Sequence, residues 1–186
     1  MKVAIFEVCR TPEIKKKTEA VILTNFFSKH NIEYELYSND YIWENTTIID
    51  KNFIELSLQK SDASIVHLAL HGNDNSLILK WCNKEQIIKR IPEDILSNID
   101  IKLMNGWRDK LIVSGACYSA QLADSFLEAG AMAVIAPKTA IPWTNLGKFF
   151  SIFYKSFLLD QNLIVALDLA KAHFPEFNSY YLYSPN

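Results

Sequence analysis

The sequence lacks several features that would assign it to a simple functional class. Lysine and arginine total 19 against 21 aspartate and glutamate residues, a formal net charge of -2, so no basic field favours nucleic acid or an anionic membrane surface. No apolar run approaches the ~18 residues of a transmembrane helix. Internal repeats, low-complexity stretches and linkers are missing as well. We therefore expect one domain over residues 1–186 that binds neither nucleic acid nor membrane.

Cysteine is also scarce. The chain has three cysteines at irregular spacing, Cys9, Cys82 and Cys117. An odd, irregular set is neither a disulfide framework nor a metal-binding knuckle, and it is typical of the reducing cytosol. The N-terminus opens directly into an apolar strand at residues 2–6, without a secretory leader. These features predict a soluble, cytoplasmic protein.

Apolar runs of strand length alternate with stretches of helical periodicity along most of the chain. This β-α-β order predicts an α/β fold of three layers, a mainly parallel sheet of about six strands with helices on both faces. Residues 84–107 are predicted to be helical in pieces, and residues 39–47 a mobile loop. The first helix is predicted to bury Ile14, Val21, Ile22 and Phe26. Other strands are expected at 3–6, 32–37, 65–70, 111–116, 133–136 and 180–183, a hairpin arm at 77–81, and helices at 50–59, 121–129, 146–158 and 163–172.

Two of the apolar runs end in a chemically reactive side chain. His71 follows the run at 65–70, and Cys117 follows the run at 111–116. Side chains at the carboxyl ends of parallel strands converge on one crevice, where such folds bind their ligands. A thiol and an imidazole placed there can act as nucleophile and base. Cys9 and Cys82 are expected to be structural.

Glycines accompany both reactive residues. Gly115 lets the backbone turn sharply before Cys117, and the helix predicted to begin near Gln121 favours a thiolate through its positive end. Gly72 can expose its backbone N–H to the same crevice, alongside the N–H of Cys117. Two such donors are the usual stabilisers of a tetrahedral oxyanion. Because His71 and Cys117 are 46 residues apart, their spacing is close to the ~50 residues of the caspase signature.

The segments Val66–Gly72 and Val113–Ser119 resemble the paired signatures of caspase-like cysteine peptidases, especially the bacterial CHAT branch. The resemblance continues through Phe126–Pro137 and the later helices, and covers residues 60–173. It implies an endopeptidase with a Cys-His dyad and no metal or organic cofactor. By matching position, His71 would be the base, Cys117 the nucleophile and Gly72 an oxyanion donor, acting on a protein or peptide substrate.

Substrate preference does not follow from the resemblance. Relatives that cleave after basic residues commonly carry an acid two positions before the nucleophile, and caspases carry glutamine, whereas this chain has Gly115. Charge selectivity would then come from Glu7 or Arg10 after the first strand. Ile141 and Trp143 would form another wall that favours an apolar or small side chain. The short span between Cys117 and residue 133 leaves no excisable linker, so we expect control by a separate regulatory protein.

Two other functions remain open. Cys117 with His173 and Glu176 resembles the Cys-His-Glu order of class I glutamine amidotransferases, although His173 stands where it can cap a helix. The second is a caspase-like scaffold or sensing module without catalysis. Loss of the histidine or the cysteine would mark such a module, and this chain has both.

Overall fold

The computed structural model describes residues 1–8, 18–39, 48–80 and 94–185. Cys9, Arg10, Ile14 and Cys82 lie outside the described residues, as does most of the loop expected at 39–47. The strands in this part of the chain are β1 (Lys2–Glu7), β2 (Glu33–Ser38), β3 (Ile65–Ala69), β4 (His71–Asn73), β5 (Ser76–Lys80), β6 (Asp94–Ser97), β7 (Leu111–Ser114), β8 (Ala133–Pro137) and β9 (Tyr180–Tyr183). The α-helices are α1 (Glu19–Lys29), α2 (Lys51–Lys60), α3 (Asn98–Leu103), α4 (Ala123–Glu128), α5 (Leu146–Asp160) and α6 (Leu163–His173).

Six strands form the main sheet, in the order β2-β1-β3-β7-β8-β9. All neighbours in it are parallel except β9, which pairs with β8 in the antiparallel direction and forms one edge. Parallel strands need crossover helices, which cover both faces of a sheet. The α/β fold predicted from the sequence is confirmed, including the edge strand at 180–183.

Two apolar layers cover the two faces of this sheet. On one face, side chains of α1, α5 and α6 pack on β1, β3, β7 and β8. On the other face lie α2, α3 and α4, together with Leu77, Leu79 and Leu96 of a small second sheet. The strands between the layers alternate their side chains between the two clusters, which explains why they read as continuous apolar runs.

The second sheet contains β4, β5 and β6. Strand β4 begins at His71, almost directly after β3, and turns back through Asp74 and Asn75 into β5. The hairpin arm expected at 77–81 is therefore part of a three-stranded sheet. The helical prediction for 84–107 is wrong at residues 94–97, which pair with β5 as β6. Tertiary pairing overrides local propensity there, whereas residues 81–93 lie outside the described residues.

Helix α1 begins with a side-chain cap at Thr18, whose Oγ1 accepts a hydrogen bond from Val21 N at 3.2 Å. Its fully buried residues are Ala20, Leu23, Thr24 and Phe27. The stripe predicted through Val21, Ile22 and Phe26 is therefore wrong in its orientation, since those three side chains are only half-buried. Ile22 packs sideways against α5 instead of facing the sheet. A Cβ on Gly147 of α5 would lie only 2.8 Å from the Cβ of Ile22.

Helix α5 corresponds to the helix expected at 146–158 and presents one apolar stripe to the sheet, with Phe157 partly buried at its end. Leu146, Phe149, Phe150, Phe153 and Tyr154 are all buried in the same cluster. The aromatic rings pack in mostly edge-to-face contacts, for example 5.0 Å between the Phe149 and Phe150 centroids. This rigid layer lies under the part of the sheet where β3 and β7 pair, and it contributes Tyr154 to the polar network described below.

Candidate active site

The strands that end near His71 and Cys117 are direct neighbours in the main sheet. β3 and β7 pair in parallel register from Ile65 with Leu111 to Leu68 with Ser114. The register continues one step further, because Gly115 N donates a hydrogen bond to Leu68 O at 2.9 Å. The segments that follow β3 and β7 therefore leave the sheet at the same carboxyl edge.

Gly72 packs directly against the backbone of Cys117. A Cβ on Gly72 would overlap the carbonyl oxygen of Cys117 and would lie 3.1 Å from Ala116 Cβ. Only a residue without a side chain allows so close an approach. His71 precedes Gly72 and is half-buried, as is Cys117. The structure thus brings together the two segments that the sequence singled out.

The turn that carries Cys117 is held by hydrogen bonds on both sides. The hydroxyl of Ser114 accepts from Ala116 N at 3.2 Å, and the hydroxyl of Ser119 donates to Ala116 O at 2.8 Å. Tyr118 has a φ of 59°, the left-handed region that side chains rarely adopt. Such strain costs on the order of 1–3 kcal/mol and persists only where the surroundings enforce it. After a 3-10 turn at Ser119–Leu122, α4 begins, two residues later than predicted.

The sulfur of Cys117 lies against the backbone of Ile141. Ile141 N donates to Sγ at 3.4 Å, and the thiol can donate to Ile141 O at 3.8 Å. The Ile141 N–H can remain bonded to the sulfur in its thiolate form, for which charge-assisted bonds are stronger. The loop after β8 therefore borders the sulfur of Cys117 through Ile141. Trp143 on the same loop is 62% exposed and is free to contact a bound chain.

The other residues expected to bind substrate lie in different surroundings. Gly115 is buried at the carboxyl edge, two residues before Cys117. Glu7 ends β1 with only 2% of its surface exposed, and its Oε2 accepts a hydrogen bond from Ser38 Oγ at 2.7 Å. The carboxylate of Glu7 is therefore engaged inside the sheet. Arg10 falls outside the described residues.

The structure also contains a buried polar network between β3, α1 and α5 that was not predicted from the sequence. His67 Nε2 lies 2.8 Å from Glu19 Oε1, and its Nδ1 lies 2.8 Å from the Tyr154 hydroxyl. His67 is fully buried, and the Glu19 side chain is 11% exposed. Because a carboxylate only accepts hydrogen bonds, Nε2 carries a proton, and in the neutral ring Nδ1 then accepts from the tyrosine. A histidine inside an apolar strand is a signal for such partners, since buried polar groups are almost always paired.

Tyr180 begins β9 at the edge of the main sheet. It is fully buried, and its hydroxyl has no hydrogen-bond partner in the described part of the chain. Burial raises its pKa well above the ordinary value, and the negative charges of Glu19 and Cys117 raise it further. Burial and the charge of Glu19 also raise the pKa of Tyr154. Both phenols therefore stay protonated at neutral pH.

We expect Tyr154→Phe and Tyr180→Phe to change stability in different ways. Tyr154→Phe removes the partner of a buried imidazole nitrogen, and should lower the free energy of unfolding by about 1–3 kcal/mol. Tyr180→Phe removes a buried hydroxyl without a partner, so stability should be unchanged or slightly higher. Urea denaturation of the two variants and the parent chain measures this. A loss of more than about 1 kcal/mol in Tyr180→Phe would show that its hydroxyl is paired.

His173 and Glu176 are engaged elsewhere in the structure. His173 is the last residue of α6, and its Nδ1 bonds to Leu169 O at 2.9 Å on the exposed surface, as a helix-terminal contact. Glu176 Oε1 accepts a hydrogen bond from Asn145 Nδ2 at 3.3 Å. These contacts do not link the two residues to each other or to Cys117.

Among the described residues, no group of three or more His, Cys, Asp or Glu side chains could hold a metal ion. None of the helices described here is long and apolar enough to cross a bilayer. Neither a protein-family model nor a curated protein matches the chain. Its function is therefore inferred from the geometry of the residues themselves.

Proposed function

We propose that this chain is a cysteine endopeptidase with Cys117 as nucleophile and His71 as base. The observation that carries the proposal is the contact of Gly72 with the Cys117 backbone. That contact lies at the carboxyl ends of two adjacent parallel strands, where α/β folds bind ligands. The strained, hydrogen-bonded turn at Ser114–Ser119 adds support, because backbone strain of this kind clusters at functional sites.

The proposed reaction proceeds through a thioester. His71 takes the thiol proton, and the Cys117 sulfur forms a bond to the carbonyl carbon of the scissile peptide. The tetrahedral intermediate collapses when the carbon–nitrogen bond breaks and the leaving amine takes the proton from His71. A water molecule then gives a proton to His71 and attacks the thioester. The acid product leaves, and the thiol is restored. No metal or organic cofactor takes part in these steps.

The register of the small sheet supports Gly72 as an oxyanion donor. Asn73 and Ser76 flank the two-residue turn and pair with each other, so they exchange both backbone hydrogen bonds. The next pair, Gly72 with Leu77, is then of the non-hydrogen-bonded type. The Gly72 N–H consequently points away from β5. It is available for an oxyanion together with the N–H of Cys117.

The same proposal includes regulation and location. An intracellular peptidase must be restrained, and we place this restraint in a separate regulatory protein rather than in cleavage after Cys117. Only fifteen residues separate Cys117 from β8, and they are filled by the turn and α4. A thiol nucleophile works where thiols stay reduced, so we propose a cytosolic location.

Thiol labelling tests the nucleophile directly. With iodoacetamide at a limiting dose, we expect Cys117 to be alkylated about tenfold faster than Cys9 or Cys82, because an ordinary cysteine is only a few per cent thiolate at neutral pH. In His71→Ala, labelling of Cys117 should slow toward the rate of the other two. Peptide mass spectrometry after digestion gives all three rates in one sample.

Two outcomes would contradict the proposal. One is an unreactive Cys117 in sub-denaturing urea while Cys9 is labelled readily, as expected for a non-catalytic scaffold. The other is slower labelling in His173→Ala but not in His71→Ala, as expected for the amidotransferase order. A positional peptide library incubated with the parent chain and with Cys117→Ala then identifies the cleaved sequence.

A further inference from the structure

A carboxylate lies over the residue that precedes the nucleophile by two positions. If Gly115 had a Cβ, that atom would overlap Glu19 Oε2 and would lie 2.6 Å from Oε1 and 2.8 Å from Cδ. Gly115 therefore leaves room for a side chain that comes from the start of α1. The acid that the sequence lacks at position 115 is supplied in space by Glu19.

Glu19 is fixed in this place by buried groups on two other elements. Its Oε1 bonds to His67 of β3, and His67 in turn bonds to Tyr154 of α5. Its Oε2 has no hydrogen bond or ion pair with any described residue. An ionised carboxylate can accept about four hydrogen bonds, so most of this capacity remains unused. The side chain keeps 11% of its surface exposed, enough for one partner to reach it.

The position of Gly115 in the chain limits how far the carboxylate can lie from Cys117. Only Ala116 lies between Gly115 and Cys117, so their Cα atoms are at most about 7 Å apart. A substrate residue whose carbonyl carbon meets Cys117 Sγ would need a long side chain to cover that span. Lysine, with its four-carbon stem, and arginine, with its planar fork, have both the length and the charge. An aspartate side chain would be too short and would meet a like charge.

Tyr180 of β9 is buried in the apolar cluster that also contains the core side chains of α1 and α5. Its fully buried hydroxyl has no partner in the described part of the chain, although buried polar groups are nearly always paired. Burial, and after it the charge of Glu19, raise the pKa of this hydroxyl, so Tyr180 stays a neutral neighbour in the same apolar cluster as α1 and α5.

We propose that Glu19 recognises a cationic side chain, arginine or lysine, on the substrate residue whose carbonyl carbon is attacked by Cys117. His67 is a positioning residue that holds the carboxylate over Gly115. This inference rests on the proposed peptidase function and assigns its substrate class. Peptides cleaved by this chain therefore carry arginine or lysine immediately before the scissile bond.

The test uses three fluorogenic peptides that differ only in the residue before the scissile bond. Arginine, its neutral isostere citrulline and aspartate occupy that position in turn. We expect the parent chain to show a kcat/KM for arginine about ten- to hundredfold above citrulline, the range of one charge-assisted interaction, and no cleavage after aspartate. In Glu19→Gln, the kcat/KM for the arginine peptide should fall to that for the citrulline peptide.

Three further variants separate an effect on substrate recognition from an effect on folding. The matched control is Glu128→Gln, which removes an exposed acid at the end of α4. This helix ends near the amino edge of the sheet, away from Cys117, so the variant should keep the full preference for arginine. If Glu19→Gln does not fold, Gly115→Ala is the alternative, because its Cβ displaces the Glu19 carboxylate without changing any charge. His67→Gln keeps a hydrogen-bonding side chain and should reduce the preference only in part.

Alkylation by arginyl and citrullyl chloromethyl ketones provides a readout without turnover. We expect the arginyl compound to modify Cys117 faster, and Glu19→Gln to remove the difference. Equal cleavage of the arginine and citrulline peptides by the parent chain would overturn the inference about Glu19 and leave the peptidase intact. An unchanged preference in Glu19→Gln would do the same. If the parent chain shows no peptide hydrolysis and no alkylation of Cys117, both proposals are overturned.

Discussion

Replacing Cys117 with alanine will reduce peptide hydrolysis by on the order of 10⁴-fold or more, down to the background of the uncatalysed reaction. His71→Ala will reduce it by about 10²–10⁴-fold, the range of a general base. The physical reason is that the thioester route needs both the sulfur and the group that takes its proton. The double variant should be hardly worse than Cys117→Ala alone, because the two residues act as one unit.

The controls for this result are His173→Ala and Glu176→Ala. Both residues lie on the surface, where His173 bonds to Leu169 O and Glu176 accepts a hydrogen bond from Asn145. Both variants should therefore keep nearly the full kcat/KM. Circular dichroism and urea denaturation show whether each variant is folded. If His173→Ala abolished hydrolysis while His71→Ala did not, the Cys-His-Glu order of an amidotransferase would replace the dyad proposed here.

Much of the fold could be predicted from the sequence because the main sheet is parallel and covered on both faces. Strands buried on two sides appear as continuous apolar runs, and β3, β7 and β8 each have such a run. The end of each run marks the carboxyl edge of the sheet. The convergence of the His71 and Cys117 segments followed from those two ends, together with the adjacency of β3 and β7.

Lateral packing was the part that sequence periodicity could not resolve. In α1, the apolar residues are dense enough to form either of two neighbouring stripes. The choice of Ala20, Leu23 and Phe27 over Val21, Ile22 and Phe26 depends on the position of α5 beside the helix. Strand β6 shows the same limit, since its four residues become a strand only by pairing with β5.

The Glu19 network could not be predicted because its members are far apart in sequence. The network joins the start of α1 (Glu19), the centre of β3 (His67) and α5 (Tyr154). Glu19 and His67 are 48 residues apart, and His67 and Tyr154 are 87 residues apart. The sequence showed the empty position at Gly115 but not the side chain that fills it. Glu7 was the acid nearest to the first strand end, and the structure places its carboxylate against Ser38 instead.

The close approach of the His71 and Cys117 segments depends on Gly72, and Gly72→Ala will disrupt it. The added Cβ would overlap the carbonyl oxygen of Cys117 and press on Ala116 Cβ, and both atoms belong to a turn fixed by Ser114 and Ser119. Neither side can yield cheaply, because the obstacle is mainly backbone. Crowding of this kind typically costs 1–3 kcal/mol of stability when it is relieved by a shift of the chain.

We expect that shift to move His71 and the Gly72 N–H away from the sulfur, and to lower kcat/KM by about a hundredfold or more, since a displacement near 1 Å is enough for such a loss. The matched control is Asp74→Ala on the exposed turn of the same hairpin, which should keep the parent activity. Urea denaturation should find Gly72→Ala folded but less stable, so that its activity loss is not due to unfolding. The iodoacetamide rate at Cys117 should fall as well if His71 is the base that takes the thiol proton, as proposed above. Activity within threefold of the parent chain would mean that the contact between Gly72 and Cys117 does not position the base.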